Sequence, residues 1–332
     1  MAEDLQARGI VLQLVRRGAG LPENAPVPSM DSGMWQQVLE MAHMQAVTGL
    51  VYAGLASLGK AYPAPYTDIL FKLVGSADHT ERTSRRIQAV SERILDRLTQ
   101  EGWHPILMKG PDIARLYPYP FLRESGDIDL YISPQEWPGF LQAHQQIASA
   151  PDGSLQWEEE GVPIDLHQRY FDLHVKEAML PEVPSTEALL VMLSAHIRKH
   201  CMTAGIGLKQ LCDMAVAYER CDYDRELLLA CYARTGMLAW NRLLAAFLAK
   251  HLHVSRLPFP RDDFPSVRPL EAIVFSGGNF GQYASGRQEK LLAGGRARKT
   301  DTVLRMLKRL PFSLRYAPKE WLYYAATLLR NQ

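Results

Sequence analysis

Asp127 and Asp129 stand two residues apart in the stretch Arg123-Glu124-Ser125-Gly126-Asp127-Ile128-Asp129-Leu130-Tyr131-Ile132. Ile128, Leu130 and Ile132 alternate with Asp127, Asp129 and Tyr131, the period of a β-strand with one apolar and one polar face. Side chains at i and i+2 share a face, so the two carboxylates project together, about 6–7 Å apart. Their repulsion calls for a cation, and a divalent metal held by carboxylates, waters and phosphate oxygens answers it simply. Standing alone, the pair also fits a strand with a solvated acidic face, so the surrounding chain has to decide.

Three neighbouring features bear on that decision. The apolar run Trp103-His104-Pro105-Ile106-Leu107-Met108 suits a buried strand and ends in Lys109-Gly110-Pro111. A helix-sized segment follows, in which Asp112 is placed to cap Ile113, Ala114, Leu116 and Tyr117. In Val162-Pro163-Ile164-Asp165-Leu166-His167, Ile164 and Leu166 share one face, Asp165 and His167 the other. A strand and turn, an Asp-x-Asp strand and a third acid on a neighbouring strand can hold two metals. Such a pair can activate a hydroxyl, neutralise a triphosphate and stabilise a pyrophosphate leaving group.

Lys109-Gly110, Leu116-Tyr117, Arg123, Gly126-Asp127-Ile128-Asp129-Leu130 and Ile164-Asp165-Leu166-His167 together resemble the DNA-polymerase-β-like nucleotidyltransferase superfamily. The similarity is to its bacterial "uncharacterised nucleotidyltransferase" branch. Ala195-His196-Ile197-Arg198-Lys199-His200, Leu211-Cys212-Asp213 and Gly278-Asn279-Phe280-Gly281 extend it past the core. The resemblance implies that Asp127 and Asp129 bind both metals (Mg²⁺ or Mn²⁺) and that Asp165 is the third carboxylate, orienting or deprotonating the attacking group. It implies that Gly110 lets the backbone approach the phosphates, with Gly126 at the entry to the acidic strand. Arg123 supplies a guanidinium suited to phosphate oxygens. The substrates it implies are an NTP such as ATP and an acceptor hydroxyl. The sequence departs from the superfamily in having Pro111 where Ser or Gly is usual, and seventeen positions separate Gly110 from Asp127. Lys109 would then replace a serine contact with a charge-assisted one.

Several histidines and charges remain. His196 and His200, at i and i+4, share a helix face, the spacing of a zinc site. Ile197 stands where a zincin needs glutamate, so metalloprotease chemistry is poorly supported. Either the pair packs at the junction of helices and core, or His196, Lys199 and His200, with Lys209 and Asp213, line the cleft. His167 is either a partner of Asp165 or a phosphate contact. A competing reading keeps the fold without the catalysis, as a nucleotide- or protein-binding module; the presence of all three acids argues for the enzyme.

The elements that must position these residues are mostly helices. Trp35, Val38, Leu39, Ala42, Ala46 and Leu50 recur at helical spacing behind a cap at Asp31 or Ser32. After a break at Pro63 and Pro65 come two stripes, Ile69 to Ala77 and Ile87 to Leu98. The polar segment Asp78 to Arg86 lies between them and reads as a solvated face rather than a kink or phosphate patch. Trp137 to Ile147 reads as a helix. Leu155 to Glu158 and Val162 to His167 form a hairpin after a turn at 151–153. Helices over Ser185 to His200, Ile206 to Tyr218 and Asp224 to Leu252 follow.

The expected fold class is α+β: a helical region at 1–99, a small mixed-sheet core at 100–183, a helical domain at 184–254 and a basic, mostly helical extension at 255–332. The N-terminal helices are expected to wall the cleft, and the region after 184 to close it. Over 332 residues the net charge is +1, which names no partner class. Between Arg287 and Arg330, eleven Lys or Arg face three acids, and at helical spacing these read as a solvated face rather than a nucleic-acid surface. A small molecule or protein is therefore the favoured acceptor over nucleic acid. Met1-Ala2-Glu3-Asp4 does not read as a signal peptide, and no run is long enough to span a bilayer. The four cysteines form no C-x-x-C pair and read as reduced thiols of a cytoplasmic protein.

Overall fold

The structure is a computed structural model that describes residues 2–59, 66–150, 153–283 and 295–330. The expected break at Pro63 and Pro65, Pro151-Asp152 of the turn, and the basic Arg287 and Lys290 lie outside these residues. The helices are α1 (Ala2–Gly18), α2 (Ser32–Met44), α3 (Thr48–Ala56), α4 (Thr67–Gln100), α5 (Pro111–Ala114), α6 (Trp137–Ala143), α7 (Thr186–Met202), α8 (Leu208–Arg220), α9 (Arg225–Arg234), α10 (Leu238–Leu252), α11 (Arg268–Gly277), α12 (Gly295–Lys308), α13 (Leu310–Tyr316) and α14 (Pro318–Arg330). The strands are β1 (Ile106–Leu107), β2 (Ile128–Tyr131), β3 (Ala148–Ser149), β4 (Leu155–Glu159) and β5 (Val162–His167).

These strands form one sheet in the order β1-β2-β5-β4-β3. β2 and β5 run parallel at its centre; the other neighbours are antiparallel. The β4–β5 hairpin turns at Glu160-Gly161, both at positive φ, as a two-residue turn matched to strand twist requires. The parallel register sets Ile128 opposite Ile164, Asp129 opposite Asp165, Leu130 opposite Leu166 and Tyr131 opposite His167. One face is therefore apolar, and it packs on Ile87, Val90, Ile94 and Leu98 of α4 and on Trp137 and Phe140 of α6. A fully buried aliphatic side chain of this kind contributes about 1.5–3 kcal/mol. The other face carries the acids.

A second core joins α1–α3 to α7–α11 and includes Tyr170 and Phe171, which follow β5. α4 serves both cores: Ile69 and Leu73 enter the helical one, and its second stripe enters the sheet's. Between the stripes α4 is unbroken. Its outer side there is solvated and laced with Arg82–Asp78 and Arg85–Glu81 ion pairs, while Thr80 and Ser84 face inward.

The elements differ from expectation in four places. The cap of α5 is Gly110 at φ +74, without a side-chain bond, and Asp112 lies within the first turn. The segment expected as one helix from Asp224 to Leu252 is α9 and α10, because Gly236 turns the chain at φ +70. α6 ends at Ala143, and Ala148-Ser149 joins the sheet as edge strand β3. β1 is only Ile106-Leu107. Asp31 caps α2 through the Met34 N–H, and Ser185 caps α7 through the Ala188 N–H. Cys201, Cys212, Cys221 and Cys231 are free thiols.

Candidate active site

Asp129 sits at the centre of the sheet's polar face and is 4 % exposed. One of its carboxylate oxygens lies 3.2 Å from Lys109 Nζ and the other 3.2 Å from His167 Nε2. Burial works against its ionisation, but the Lys109 charge and then the His167 bond hold its carboxyl well below the usual carboxylate range. Asp165, its register partner, is pushed upward by burial and then by the Asp129 charge. The ligand atoms of Asp129, Asp165 and His167 lie within 4.8 Å of one another. His167, expected beside Asp165, thus reaches across the strand pair to Asp129.

Asp127 precedes β2, is exposed and lies outside that group of three, but it lines the same cavity. The cavity encloses about 750 Å³ and is rimmed by Gly110, Gly126, Lys109 and the three acids. His196, Lys199, His200, Lys209 and Asp213 also line it, so α7 and α8 form its far wall. Among the described residues before 100, Ala46 alone reaches it, so the N-terminal helices wall it far less than expected. Asn279 and Phe280 close another side, held there by Gly278 at φ +64, where a Cβ would overlap the Met44 carbonyl oxygen.

A profile described as an uncharacterised nucleotidyltransferase matches residues 31–253, about two-thirds of the chain. The chain belongs to that nucleotidyltransferase family. No curated protein and no solved structure matches it. The family region contains the whole sheet and α2–α10; α1, α11–α14 and Asn279-Phe280 lie outside it.

Arg123, for which the family resemblance implies a phosphate contact, borders the cavity with its guanidinium already paired. It is 4 % exposed, and its Nε and Nη2 donate to the two Asp213 oxygens at 2.8 and 2.7 Å. Nη1 donates to Ser125 Oγ at 2.8 Å and to the Glu124 carbonyl. Tyr117 Oη donates to Asp213 as well, at 2.8 Å. Asp213 and Arg123 therefore lock the loop before β2 onto α8, and Asp213 reaches the cleft as part of that lock. The cation left over is Lys209. It makes no ion pair among the described residues, and burial, then Arg123, lower its pKa.

The sequence reading passed over Asp172. Its carboxylate holds Lys199 Nζ at 2.7 Å and His196 Nδ1 at 3.2 Å. Burial opposes its charge, yet the His196 bond and Lys199 keep its carboxyl well below the usual range. Burial, then Lys109, lower the His196 pKa, so its ring is neutral at pH 7 with Nδ1–H donating to Asp172. Glu320 was also passed over. It accepts from the His174 N–H at 3.0 Å, its other oxygen lies 2.5 Å from His174 Nδ1, and Arg198 stands 3.5 Å away. That contact docks α14 on the segment after β5. Within the basic extension, Arg309 donates to the carbonyls of Cys201 and Thr203, where α7 ends. No helix among the described residues is long and apolar enough to cross a membrane.

Proposed function

We propose that the protein transfers a nucleoside monophosphate from an NTP to an acceptor hydroxyl. The observation that carries this is the register of β2 and β5, which sets Asp129 against Asp165 with His167 beside them, facing a cavity large enough for a nucleotide. The donor set fits a divalent cation: two carboxylates whose charges repel, one imidazole, and a buried Asp129 that already holds the Lys109 ammonium on one oxygen and the His167 ring on the other. Asp129, Asp165 and His167, with Asp127 at the mouth, would hold Mg²⁺ or, given the nitrogen donor, Mn²⁺. A bound divalent cation supplies charge neutralisation at the phosphate oxygens.

The chain's own residues do the rest. Lys109 stays protonated, because Asp129 and Asp127 outweigh its burial, and it offers a cation to the triphosphate. Lys209 offers a second from the opposite wall. Gly110 sits at φ +74, a conformation that favours glycine, and a Cβ there would come within 3.6 Å of the Asp127 carbonyl oxygen, so its absence leaves the backbone bare toward a phosphate. α7 and Phe280 form part of the cavity's wall.

The test is thermal stability with Mg²⁺ or Mn²⁺ and each NTP, followed by transfer of α-phosphate label in cell extract. A nucleotide at a hundred times its dissociation constant stabilises by about 2.7 kcal/mol. Asp129→Asn should abolish metal-dependent stabilisation and lower transfer by a hundredfold or more. Transfer that persists in this variant refutes the proposal.

A further inference from the structure

A second cavity, of about 450 Å³, backs onto the first. Lys109, Asp129, His167, His196 and Lys199 line both, so these side chains form a shared wall. Asp127, Asp165, Gly110 and Lys209 line the larger cavity and not the smaller; Asp172, Tyr323 and Tyr324 line the smaller and not the larger, as do Arg169 and Tyr170, which also border a third cavity. In nucleotidyl transfer the attacking and leaving oxygens lie on opposite sides of the phosphorus. Two cavities meeting at one wall supply that arrangement. Resting on the nucleotide reading above, we infer that the smaller cavity is the acceptor subsite, that its occupant is a compact hydroxylated ring compound of sugar type, and that His196, positioned by Asp172, is the base that takes the acceptor's proton.

The lining argues for that class. Its aliphatic members are Met108 and Met192, which leaves little for a lipid chain. Aromatic faces come from Tyr170, Phe171, Tyr323 and Tyr324, with His174 stacked on Tyr323. Rings suit the C–H face of a sugar, while the Tyr hydroxyls, Gln168 and Ser154 suit its hydroxyl edge. Lys109 is paired with Asp129 and Lys199 with Asp172, whereas Arg169 makes no ion pair among the described residues and adds a free donor. The volume admits a mono- or disaccharide and not a folded macromolecular surface. With Nδ1 committed to Asp172, the ring nitrogen left to accept a proton is Nε2. The acceptor O–H proton passes to Nε2, the oxygen bonds to the α-phosphorus, and the α–β bridging P–O bond breaks with its electrons leaving on pyrophosphate. The imidazolium then loses the proton to solvent.

The experiment uses the full chain, all four α-labelled NTPs with Mg²⁺ or Mn²⁺, and glucose, N-acetylglucosamine and glucuronic acid as probes. Saturation-transfer NMR should show a bound pyranoside whose signal is lost in Arg169→Ser or Tyr323→Leu, both at exposed positions, while nucleotide stabilisation persists. Label should appear on that pyranoside, and His196→Gln should cut transfer by a hundredfold or more while keeping both ligands bound. Intact nucleotide binding with no pyranoside binding, with label found instead on a serine peptide or oligoribonucleotide, or with unchanged transfer in His196→Gln, overturns this inference alone. Absence of nucleotide binding in the wild type overturns the nucleotide reading and the inference with it.

Discussion

Replacing Arg123 by methionine removes a guanidinium held by four hydrogen bonds: two to Asp213, one to Ser125 and one to the Glu124 carbonyl. The Asp213 carboxylate then stays buried with Tyr117 Oη as its remaining side-chain partner. Uncompensated buried charge of this kind costs about 3–5 kcal/mol. Asp213→Leu strands the guanidinium instead and should cost a similar amount. In the double variant both charges are gone; what remains is the unsatisfied Tyr117 hydroxyl, about 1–3 kcal/mol. The cycle therefore predicts a coupling of several kcal/mol, read from urea unfolding followed by tryptophan fluorescence. Residual nucleotide binding in the folded double variant should be near wild type, since Arg123 is spent on the lock. If each single variant costs less than about 1 kcal/mol, or if the two losses simply add, the lock is wrong. Loss of nucleotide binding at unchanged stability would return Arg123 to the phosphates.

Gly278→Ala places a Cβ against the Met44 carbonyl oxygen at a φ that L-residues avoid. It should cost roughly 1–3 kcal/mol, seen as a lower urea midpoint, and displace Phe280 from the cleft. His200 tests the pH dependence. Burial, then His196, hold its imidazole well below the ordinary range, and its Nδ1 is buried without a partner. The folded state therefore binds fewer protons than the unfolded state, so this contribution is complete above the unfolded pKa of about 6.5 and is lost as pH falls below it. His196 acts with the same sign. The unfolding free energy from urea titration should drop between pH 7.5 and 5.5, by up to about 1.4 kcal/mol per pH unit for each group, and His200→Leu should drop less. An equal drop in that variant would contradict the burial argument.

The parts legible in the chain are those set by local period. Ile128, Leu130, Ile164 and Leu166 alternate cleanly, so both strands and their two faces could be read, and the register of β2 on β5 then brought Asp129 to Asp165. Asp31 and Ser185 marked helix starts by side-chain chemistry alone. Period says nothing about which long-range partner a charge will take. Arg123 looks like a phosphate ligand because it stands beside the acidic strand; its actual partner, Asp213, is ninety residues away in sequence. Asp172 and Glu320 carry no motif, and what makes them matter is that α7 and α14 fold back against the segment after β5. Gly236 was readable as a breaker, yet the apolar spacing on either side ran across it and hid the end of α9.

The same long-range folding explains why the basic extension need not bind a polyanion. Arg305 is spent on Asp301, and Arg309 on the carbonyls where α7 ends. Phe312 and Tyr316 are buried, and Tyr323 and Tyr324 line the smaller cavity. Its apolar side is thus a wall, and Arg309 and Glu320 fasten that wall to α7, the helix that carries His196 and Lys199. Residues beyond the family region complete both cavities: Asn279 and Phe280 the larger, Tyr323 and Tyr324 the smaller. The sheet and α7 fix what chemistry is possible, while the segments after 253 shape what can enter. A chain cut after α10 would keep Asp129, Asp165 and His167 in register but open both cavities to water, and acceptor selection would be lost before metal binding.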